Sequence, residues 1–360
     1  MIPVTKSFLP PMEEYTAQVQ RAFDKGWLTN RGELVQELEA KLRAYLGLKE
    51  TQILCTNNGT VPLQIALKLL GNGGEIITTP FSYVATTAAI VWEHCTPVFV
   101  DIDPEHFTID ETKIEAAITD KTTCILATHV FGNPCNIEAI EAIAKKHNLK
   151  VIYDAAHCFG VRYKGKSIFE YGDISTCSFH ATKLFHTGEG GAIFCKDPEL
   201  FHKIYYSHNF GHNGPLQYYG LGINGKMSEL NAAMGLAVLP YMNEIIEGRF
   251  LATKAYHKNL KDSSLKQMKL RDETQWNYSY YPVIFKGEKE LTIAEEALKN
   301  EGIYPRRYFY PSLTQLPYIN NVDCKHSKAL SVTILCLPIF YDLPINELSK
   351  ITAVLKTSIN

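Results

Sequence analysis

Hydrophobic residues recur at helical spacing near the start of the chain, and a regular alternation of elements follows. Between residues 33 and 47, Leu34, Leu38 and Leu42 fall on one face of a predicted helix, and Gly47 is a suitable stop. Short apolar runs and helical segments then alternate, in the order QILCT, VPLQIALKLL, EIITTP, VATTAAIVWEH, PVFVDID, TTCILATHVFG, NIEAIEAIAKKHN and KVIYDAA. Strands that are apolar throughout and separated by helices indicate a doubly wound α/β fold, with a mostly parallel sheet covered on both faces.

The pattern changes in the last third of the chain. Residues 228–260 predict one or two long helices, residues 277–285 (NYSYYPVIF) alternate like a strand, and TIAEEALKNEG predicts a helix that ends at Gly302. The apolar run LSVTILCLPIF (330–340) predicts another strand. We therefore predict a large domain over residues 1–244 and a smaller α+β domain over residues 245–360, packed closely because no long linker separates them.

Charge and composition exclude several classes of partner. The chain has 36 basic and 38 acidic residues, a formal net charge of −2, so no strong field favours nucleic acid or an anionic membrane. No run of apolar residues approaches the ~20 of a membrane span, and the prolines of MIPVTKSFLPP do not suit a signal peptide. The nine cysteines lack metal-ligand spacing, which predicts no metal site and reduced core thiols in a cytoplasmic protein that acts on a small molecule.

Three separate stretches carry candidate chemistry. Lys183 lies in the polar loop SFHATKLFHTGEGG before the apolar run AIFC, Asp154 ends the apolar strand KVIYD, and TNNGT (56–60) joins a strand to a helix. Ligands bind at the carboxyl ends of parallel strands, and a glycine turn at a helix start favours an anion. Asp101 and Asp103 also end a strand, but a turn or helix-capping role is the simpler interpretation for both.

Pyridoxal 5′-phosphate requires these features together. Its aldehyde forms a Schiff base with a lysine amine, its ring nitrogen needs a carboxylate, and its phosphate needs backbone amides and hydroxyls. Either Tyr83 or Phe81, in TPFSYVAT, can supply the aromatic face against the ring. The chain has neither a GxxxxGK[ST] loop nor a GxGxxG turn after its first strand, which argues against nucleotide hydrolysis and dinucleotide-dependent oxidation.

The sequence resembles the DegT/DnrJ/EryC1/StrS family of nucleotide-sugar aminotransferases. The resemblance extends over nearly the whole chain, through WLTNRGELVQELEAKL, PFSYVATTAAIVWEHCTPVFVDIDP, HVFGNPCNIEAIEAIAKKHNL, VIYDAAHCFGVRYKG, SFHATKLFHTGEGGAI, KMSELNAAMGLAVL and RRYFYPSL. It implies the aspartate aminotransferase fold (type I), with an N-terminal segment, residues 1–32, that contributes to the site.

The resemblance also implies roles for the matching positions. Lys183 would carry the cofactor, Asp154 would pair with its ring nitrogen, and His157 would lie near its hydroxyl face. Tyr83 would stack on the ring. The implied phosphate-binding residues are Gly59, Thr60, Ser178 and, reaching across from a neighbouring subunit, Asn224. The resemblance therefore implies a homodimer.

The substrate side of the implied site is less regular. Many members have G-x-N-Y-R-M where this chain has GINGKM, so Gly225 and Lys226 replace a tyrosine and an arginine, and Thr314 stands where many carry a histidine. Lysine keeps the charge of arginine but not its planar fork. The candidate substrate residues are Thr29, His180, Arg306, Arg307, Tyr308 and Tyr310. For the RRYFY stretch, contact with a nucleotide diphosphate and a simple exposed basic turn both remain open.

The resemblance implies transfer of an amino group from L-glutamate to a nucleotide-linked keto sugar. The stretches TKSFLPP, SFHATKLFHT and PRRYFYPSL favour C4 of dTDP-4-keto-6-deoxy-D-glucose, for a deoxyamino sugar of a surface polysaccharide such as O-antigen. A 3-keto sugar and a UDP-linked 4-keto sugar are the alternatives. Family members that act as dehydratases lack the lysine found here at position 183, which favours transamination; a cofactor-binding sensor without catalysis is the rival outside the enzymes.

Overall fold

The structure is a computed structural model that describes residues 1–320 and 322–359. The α-helices are α1 (Met12–Lys25), α2 (Glu33–Leu46), α3 (Thr60–Leu70), α4 (Val84–Trp92), α5 (Ile137–His147), α6 (Pro198–Ser207), α7 (Glu229–Val238), α8 (Met242–Leu260), α9 (Glu288–Asn300), α10 (Lys325–Thr333) and α11 (Ile345–Ile359). The strands are β1 (Ile2–Pro3), β2 (Gln52–Thr56), β3 (Glu75–Thr78), β4 (Thr96–Phe99), β5 (Thr122–Thr128), β6 (Lys150–Asp154), β7 (Arg162–Tyr163), β8 (Lys166–Ser167), β9 (Ile174–Ser178), β10 (Gly191–Cys195), β11 (Lys266–Gln267), β12 (Thr274–Gln275), β13 (Tyr281–Ile284), β14 (Ile303–Tyr304) and β15 (Ile334–Leu337). Short 3-10 helices lie at Glu111–Lys113, Glu115–Ala117, Val130–Gly132, Ile168–Glu170, Leu239–Tyr241 and Leu313–Gln315.

A seven-stranded sheet organises the first two thirds of the chain. Its strand order is β2-β10-β9-β6-β5-β3-β4. The pairs from β9 to β4 are parallel, whereas β10 pairs antiparallel with both β2 and β9. Within this sheet β10 therefore runs against the other six strands. The predicted α/β fold with a mostly parallel sheet is confirmed.

Both faces of this sheet are buried. Successive residues of β5, Ile125 and Leu126, belong to two different hydrophobic clusters, as do Tyr153 and Ile152 of β6. Side chains alternate between the two faces of a strand, so the two clusters are the cores above and below the sheet. This arrangement explains why the strands are apolar throughout rather than alternating.

The helix predicted from residues 33–47 is α2. Leu34, Leu38 and Leu42 are buried on one face, as their spacing predicts. Gly47 ends the helix in the left-handed region at φ 66°, where its amide donates to the carbonyl oxygen of Ala44. Glycine is favoured at this conformation because it has no Cβ.

A third hydrophobic cluster lies in the last third of the chain. It surrounds β13 and β15, which pair antiparallel, together with α8, α9 and α11. The predicted domain boundary at residues 244 and 245 falls inside α8. Ile245 near the start of this helix joins the core of the large sheet, whereas Tyr256 and Leu260 join the third cluster. The helix therefore bridges the two cores, and the division into two domains stays a prediction.

Two strand predictions in this region were too long. The strand predicted over residues 277–285 is confined to Tyr281–Ile284. Before it, Tyr278 has a φ of 55°, and the side-chain Nδ2 of Asn277 donates to the carbonyl oxygens of His157 and Phe159. The run predicted as a strand over residues 330–340 begins as the end of α10 and becomes a strand at Ile334. Helix α10 buries Leu330 on its inner side, so its apolar residues belong to a helix face.

The nine cysteines are all free and buried, which confirms the predicted core thiols. Over residues 1–320 and 322–359, no helix combines the length and the apolar character needed to cross a membrane. The same residues contain no cluster of three or more histidine, cysteine, aspartate or glutamate side chains arranged to hold a metal ion.

Candidate active site

A cavity of about 490 Å³ opens at the carboxyl edge of the large sheet. Thr56, Thr128, Asp154 and Ser178 are the last residues of β2, β5, β6 and β9, and these four strands run in the same direction. The edge where such strands end is where open α/β sheets bind ligands. The predicted site residues that line the cavity are Gly59, Thr60, Tyr83, Asp154, His157, Ser178, His180, Lys183, Arg306 and Tyr308.

Lys183 lies in the loop between β9 and β10. Its backbone amide donates to the carbonyl oxygen of His180 at 2.8 Å, and its Nζ lies 3.4 Å from the hydroxyl oxygen of Tyr280. Burial lowers the pKa of Lys183 from its ordinary 10.5, and the nearby Tyr308 and Asp154 only partly oppose this shift. A lowered pKa favours the neutral amine, the form that attacks a carbonyl carbon or accepts a proton.

Asp154 is a carboxylate at the floor of the cavity, only 5% exposed. Its Oδ2 accepts a hydrogen bond from the Thr86 hydroxyl at 2.6 Å, and its Oδ1 accepts one from the Ala156 amide at 3.1 Å. Among the residues that the structure describes, no lysine, arginine or histidine forms an ion pair with it. A buried carboxylate without an ion-pair partner is costly, so this geometry suits a cationic group brought by a ligand.

The glycine turn after β2 packs directly on the end of β9. A Cβ placed on Gly59 would lie 2.6 Å from the Cβ of Ser178, so only glycine allows the two backbones to approach this closely. The Asn58 side chain accepts hydrogen bonds from the amides of Thr60 and Val61, at 2.8 and 2.9 Å, and so caps α3. The hydroxyl-bearing Thr60 and Ser178 line the cavity beside this helix start, where an anion is favoured.

Tyr83 and Phe81, the two aromatic candidates, have different surroundings. Tyr83 precedes α4, lines the cavity and is half exposed. Phe81 is fully buried and packs edge-on against Phe107, Phe131 and Phe309. Of the two, Tyr83 therefore offers its ring to a ligand, and Phe81 is a core residue.

His157 is buried in an aromatic stack. Its ring is nearly parallel to those of Phe131 and Phe309, with centroids 6.1 and 5.8 Å away. Burial holds the pKa of His157 well below its ordinary value, with a smaller contribution from the Lys183 charge. Its Nδ1 accepts a hydrogen bond from the Phe131 amide at 3.0 Å, so the neutral ring carries its proton on Nε2.

The mouth of the cavity carries charged and polar side chains. His180 Nδ1 is 2.8 Å from the Thr182 hydroxyl, and its Nε2 is 3.5 Å from a carboxylate oxygen of Glu189. Arg306 also lines the cavity, and its guanidinium lies 4.7 Å from the centre of the Tyr308 ring. Burial raises the pKa of Tyr308 to about 12, so its hydroxyl stays protonated.

Four predicted residues lie away from this lining. Arg307 pairs with Glu288 at 2.9 Å, and its guanidinium lies 3.9 Å from the centre of the Tyr310 ring. Thr29 and Asn224 are exposed on the surface, where Lys226 donates a hydrogen bond to Asn224 Oδ1 at 2.7 Å.

Two further residues have structural roles in this chain. Thr314, at the position where many relatives carry a histidine, is fully buried. His186, in the same loop as Lys183, is also buried, and its Nε2 lies 2.7 Å from the carbonyl oxygen of Phe8.

Several residues of the cavity wall were not predicted from the sequence. Tyr280, Ser82 and Thr128 line it, and Thr86 stands directly behind Asp154. A signal existed for Thr128, because it ends the apolar run TTCILAT and is paired with Asp154 in the sheet register. Tyr280 gave none, since it lies in a stretch that alternates like an ordinary strand.

These residues meet the chemical needs of pyridoxal 5′-phosphate. The cavity combines a lysine with a lowered pKa, a buried carboxylate that forms no ion pair with any described residue, and a glycine turn with adjacent hydroxyls. Tyr83 adds an aromatic wall. The donor set therefore fits the cofactor.

Comparison with known proteins agrees with this geometry. Residues 11–356 match the DegT/DnrJ/EryC1/StrS aminotransferase family. The chain belongs to this family. It is a pyridoxal phosphate-dependent sugar aminotransferase with the fold that the sequence predicted.

The aminotransferase resembles several characterised proteins along its whole length. It is 41% identical over 360 residues to a dTDP-4-amino-4,6-dideoxy-D-glucose transaminase of Shigella dysenteriae, with 98% of each chain covered. It is 39% identical over 369 residues to the transaminase of the same name from Escherichia coli, again with 98% of each covered. Its fold matches the crystal structure of DesI with its TDP-sugar product, with a TM-score of 0.94, 30% identity, and 100% and 93% of the two chains covered.

Proposed function

We propose that this aminotransferase moves the amino group of L-glutamate to C4 of dTDP-4-keto-6-deoxy-D-glucose. The observation that carries the proposal is the similarity, over 98% of both chains, to two transaminases named for a dTDP sugar with an amino group at C4. The resemblance to DesI, whose crystal structure was analysed in the presence of its TDP-sugar product, supports the same class of substrate. The product would serve as a deoxyamino sugar for a surface polysaccharide such as O-antigen.

The predicted cofactor residues occupy positions that support their proposed roles. Bound pyridoxal phosphate withdraws electrons from the carbon that carries the amino group and makes its hydrogen acidic. Lys183 would be the covalent anchor, and Asp154 would pair with the ring nitrogen. The remaining proposed contacts with the cofactor are made by Gly59, Thr60, Tyr83, His157 and Ser178.

Lys183 also has the properties of the group that moves the proton. Once released from the cofactor, its amine must be neutral to accept a proton from the substrate carbon, and burial favours that form. Tyr280, with its hydroxyl oxygen 3.4 Å from Nζ, limits where the amine can lie. With the amino donor, the same lysine would pass that proton to the neighbouring carbon of the cofactor. With the keto sugar, it would carry a proton the opposite way, from the cofactor carbon to C4 of the sugar.

On the substrate side, we propose that Arg306 and Tyr308 contact the nucleotide diphosphate, since both line the cavity and a guanidinium suits phosphate oxygens. His180 at the cavity mouth would contact the sugar. Arg307 is already paired with Glu288, so Arg306 is the stronger candidate of the two. Roles for Thr29 and Tyr310 require a neighbouring subunit or a movement of the chain.

We further propose that the working enzyme is a cytoplasmic homodimer. The segment from residue 210 to 223 exposes several large apolar side chains, among them Leu216 at 89% and Leu221 at 72%. An exposed apolar patch of this kind is typical of a surface that a partner covers. Asn224 adjoins this segment, so a second copy placed here would bring Asn224 toward the neighbouring site. The nine free cysteines suit a reducing compartment.

The test is to record the visible spectrum of the purified protein with pyridoxal phosphate, add L-glutamate, and then add the keto sugar. We expect glutamate to remove the absorbance of the lysine-bound cofactor and dTDP-4-keto-6-deoxy-D-glucose to restore it. The same assay with a dTDP-3-keto sugar and a UDP-4-keto sugar tests the alternatives, and NMR of the product locates the new amine. A protein that binds the cofactor but reacts with no amino donor would be a sensor, which would refute the proposal.

A further inference from the structure

Three buried hydroxyl groups form a hydrogen-bonded chain that ends on Asp154. The Thr86 hydroxyl donates to Asp154 Oδ2 at 2.6 Å, the Ser82 and Thr86 oxygens are 2.7 Å apart, and the Thr128 hydroxyl donates to Ser82 at 3.2 Å. All three residues are nearly inaccessible to solvent. The chain thus begins at the cavity wall, which Thr128 and Ser82 line, and ends on the carboxylate.

Counting protons fixes the direction of the middle hydrogen bond. Each hydroxyl has one hydrogen to donate, and an ionised carboxylate can only accept. Since Thr86 gives its hydrogen to Asp154, the contact between Ser82 and Thr86 must use the hydrogen of Ser82. The order is therefore Thr128 to Ser82 to Thr86 to Asp154, with every O–H dipole directed toward the carboxylate. Aligned hydrogen bonds of this kind strengthen one another in a buried site.

Two different segments supply the three hydroxyl groups. Ser82 and Thr86 are four residues apart at the start of α4, on either side of the cavity-lining Tyr83. Thr128 ends β5 and stands beside Asp154 in the register of the parallel pair β5 and β6. The Ala156 amide fixes the other carboxylate oxygen from the following loop. Both oxygens of Asp154 are thus held from the protein side.

A neighbouring residue shows that burial of a threonine in this helix does not by itself produce such a contact. Thr87 is as fully buried as Thr86, yet its hydroxyl has no hydrogen-bond partner among the residues that the structure describes. The two threonines share a helix, a size and a chemistry. They differ in whether the hydroxyl reaches the active-site carboxylate.

We propose that Thr86 is a positioning residue for the transamination site, backed by Ser82 and Thr128. Its hydroxyl holds the Asp154 carboxylate in the orientation needed to bind the protonated ring nitrogen of the cofactor, and the two hydroxyls behind it strengthen that bond. The inference rests on the proposed pairing of Asp154 with that nitrogen. Thr86 does not line the cavity, so the functional site extends beyond the residues that line it.

The test compares Thr86→Val, which keeps the shape but removes the hydroxyl, with Thr86→Ser, which keeps the hydroxyl. Thr87→Val is the matched control and Asp154→Asn the reference for complete loss. Each protein is reconstituted with pyridoxal phosphate labelled with ¹⁵N in the ring. The ¹⁵N chemical shift reports the protonation of the ring nitrogen directly, and a fluorescence titration gives the Kd of the cofactor.

We expect Thr86→Val to weaken cofactor binding by about 10- to 100-fold, the usual effect of losing a hydrogen bond to a charged group. Its ¹⁵N shift should move toward that of Asp154→Asn. The Kd of Thr86→Ser should stay within about threefold of the wild-type value, because serine keeps the hydroxyl that donates to Asp154. Thr87→Val should match the wild type in both measurements.

A Thr86→Val protein with wild-type Kd and ¹⁵N shift overturns the inference, provided that Asp154→Asn changes both. If Asp154→Asn also leaves both unchanged, the proposed place of Asp154 is wrong as well, so the two failures are distinguishable. If Thr86→Val does not fold, Ser82→Ala takes its place, because it removes the second donor in the chain. A smaller change in the same direction then supports the inference, and wild-type behaviour overturns it.

Discussion

Replacing Gly59 by alanine isolates the contact that shapes the predicted phosphate site. The new Cβ would lie 2.6 Å from Ser178 Cβ and 2.9 Å from both Cα and Oγ of Ser178, against an ordinary contact near 3.5 to 4.0 Å. Roughly 1 Å of displacement is needed, and part of it must come from the backbone at the end of β9. Backbone strain is absent, because the φ of Gly59 is −81°.

Two opposing contributions set the size of the effect. Forcing a methyl group into a packed site costs about 1–3 kcal/mol, whereas alanine in place of glycine at a helix-compatible conformation stabilises by about 0.4–1 kcal/mol. The free energy of unfolding of the apoenzyme should therefore fall by about 0–2.6 kcal/mol, with the middle of this range at about 1.3 kcal/mol. Cofactor affinity should fall by at least about tenfold, since the displaced residues are the proposed phosphate ligands.

Urea denaturation of the apoenzyme and a fluorescence titration with pyridoxal phosphate measure the two effects separately. Ser178→Ala is the control, because it removes the hydroxyl without adding an atom. It should weaken cofactor binding while leaving the urea midpoint almost unchanged. If Gly59→Ala instead raises the midpoint and retains full affinity, the close contact with Ser178 does not constrain the turn, and the reasoning is refuted.

Three further predictions concern the covalent anchor, a helix cap and a buried histidine. Lys183→Ala should lose the absorbance of the lysine-bound cofactor and reduce transamination by roughly 10³-fold or more, as a spectrum and a stopped-flow assay would show. Asp101→Ala should lower the free energy of unfolding, measured in urea, by about 1–2 kcal/mol. The Asp101 carboxylate accepts hydrogen bonds from the amides of His326 and Ser327 at the start of α10, so an unchanged urea midpoint would contradict this prediction. Burial lowers the pKa of His129 from 6.5 to about 3. Between these two pH values the unfolded chain binds a proton that the folded chain does not, so the free energy of unfolding falls as the pH drops from 6.5 toward 3. In His129→Gln, the slope of unfolding free energy against pH between about pH 6 and 4 should decrease by about 1.4 kcal/mol per pH unit, unless the histidine is protonated in the native state.

Features encoded by short stretches of sequence were predictable. The period of the leucines in α2 reports its buried face, and the apolar strands report a sheet covered on both sides. Lys183, Asp154 and the TNNGT turn were identified because chemistry at the carboxyl edge of a parallel sheet needs polar residues at strand ends, which is a local signal. The structure places all three around one cavity.

Features that depend on contacts between distant segments were not predictable. The run 330–340 begins as helix partly because Asp101, more than 220 residues earlier, caps α10. The stretch 277–280 leaves the strand conformation because Asn277 bonds to carbonyl groups near His157. Thr86 looks like any helix threonine until the fold brings Asp154, 68 residues later, within 2.6 Å of it.

The reversed direction of β10 determines how far Lys183 can travel. Ser178 at the end of β9 and Gly191 at the start of β10 are directly paired. Residues 179–190 therefore leave and re-enter the sheet at the same edge, as the loop of a long β-hairpin. A parallel β10 would instead have to start at the opposite edge, and its connection would have to cross the sheet. Because both ends of this loop are held by neighbouring strands, we expect the lysine to move mainly by rotation of its own side chain. The amine can therefore swing between two carbons a few ångströms apart while its backbone stays in place.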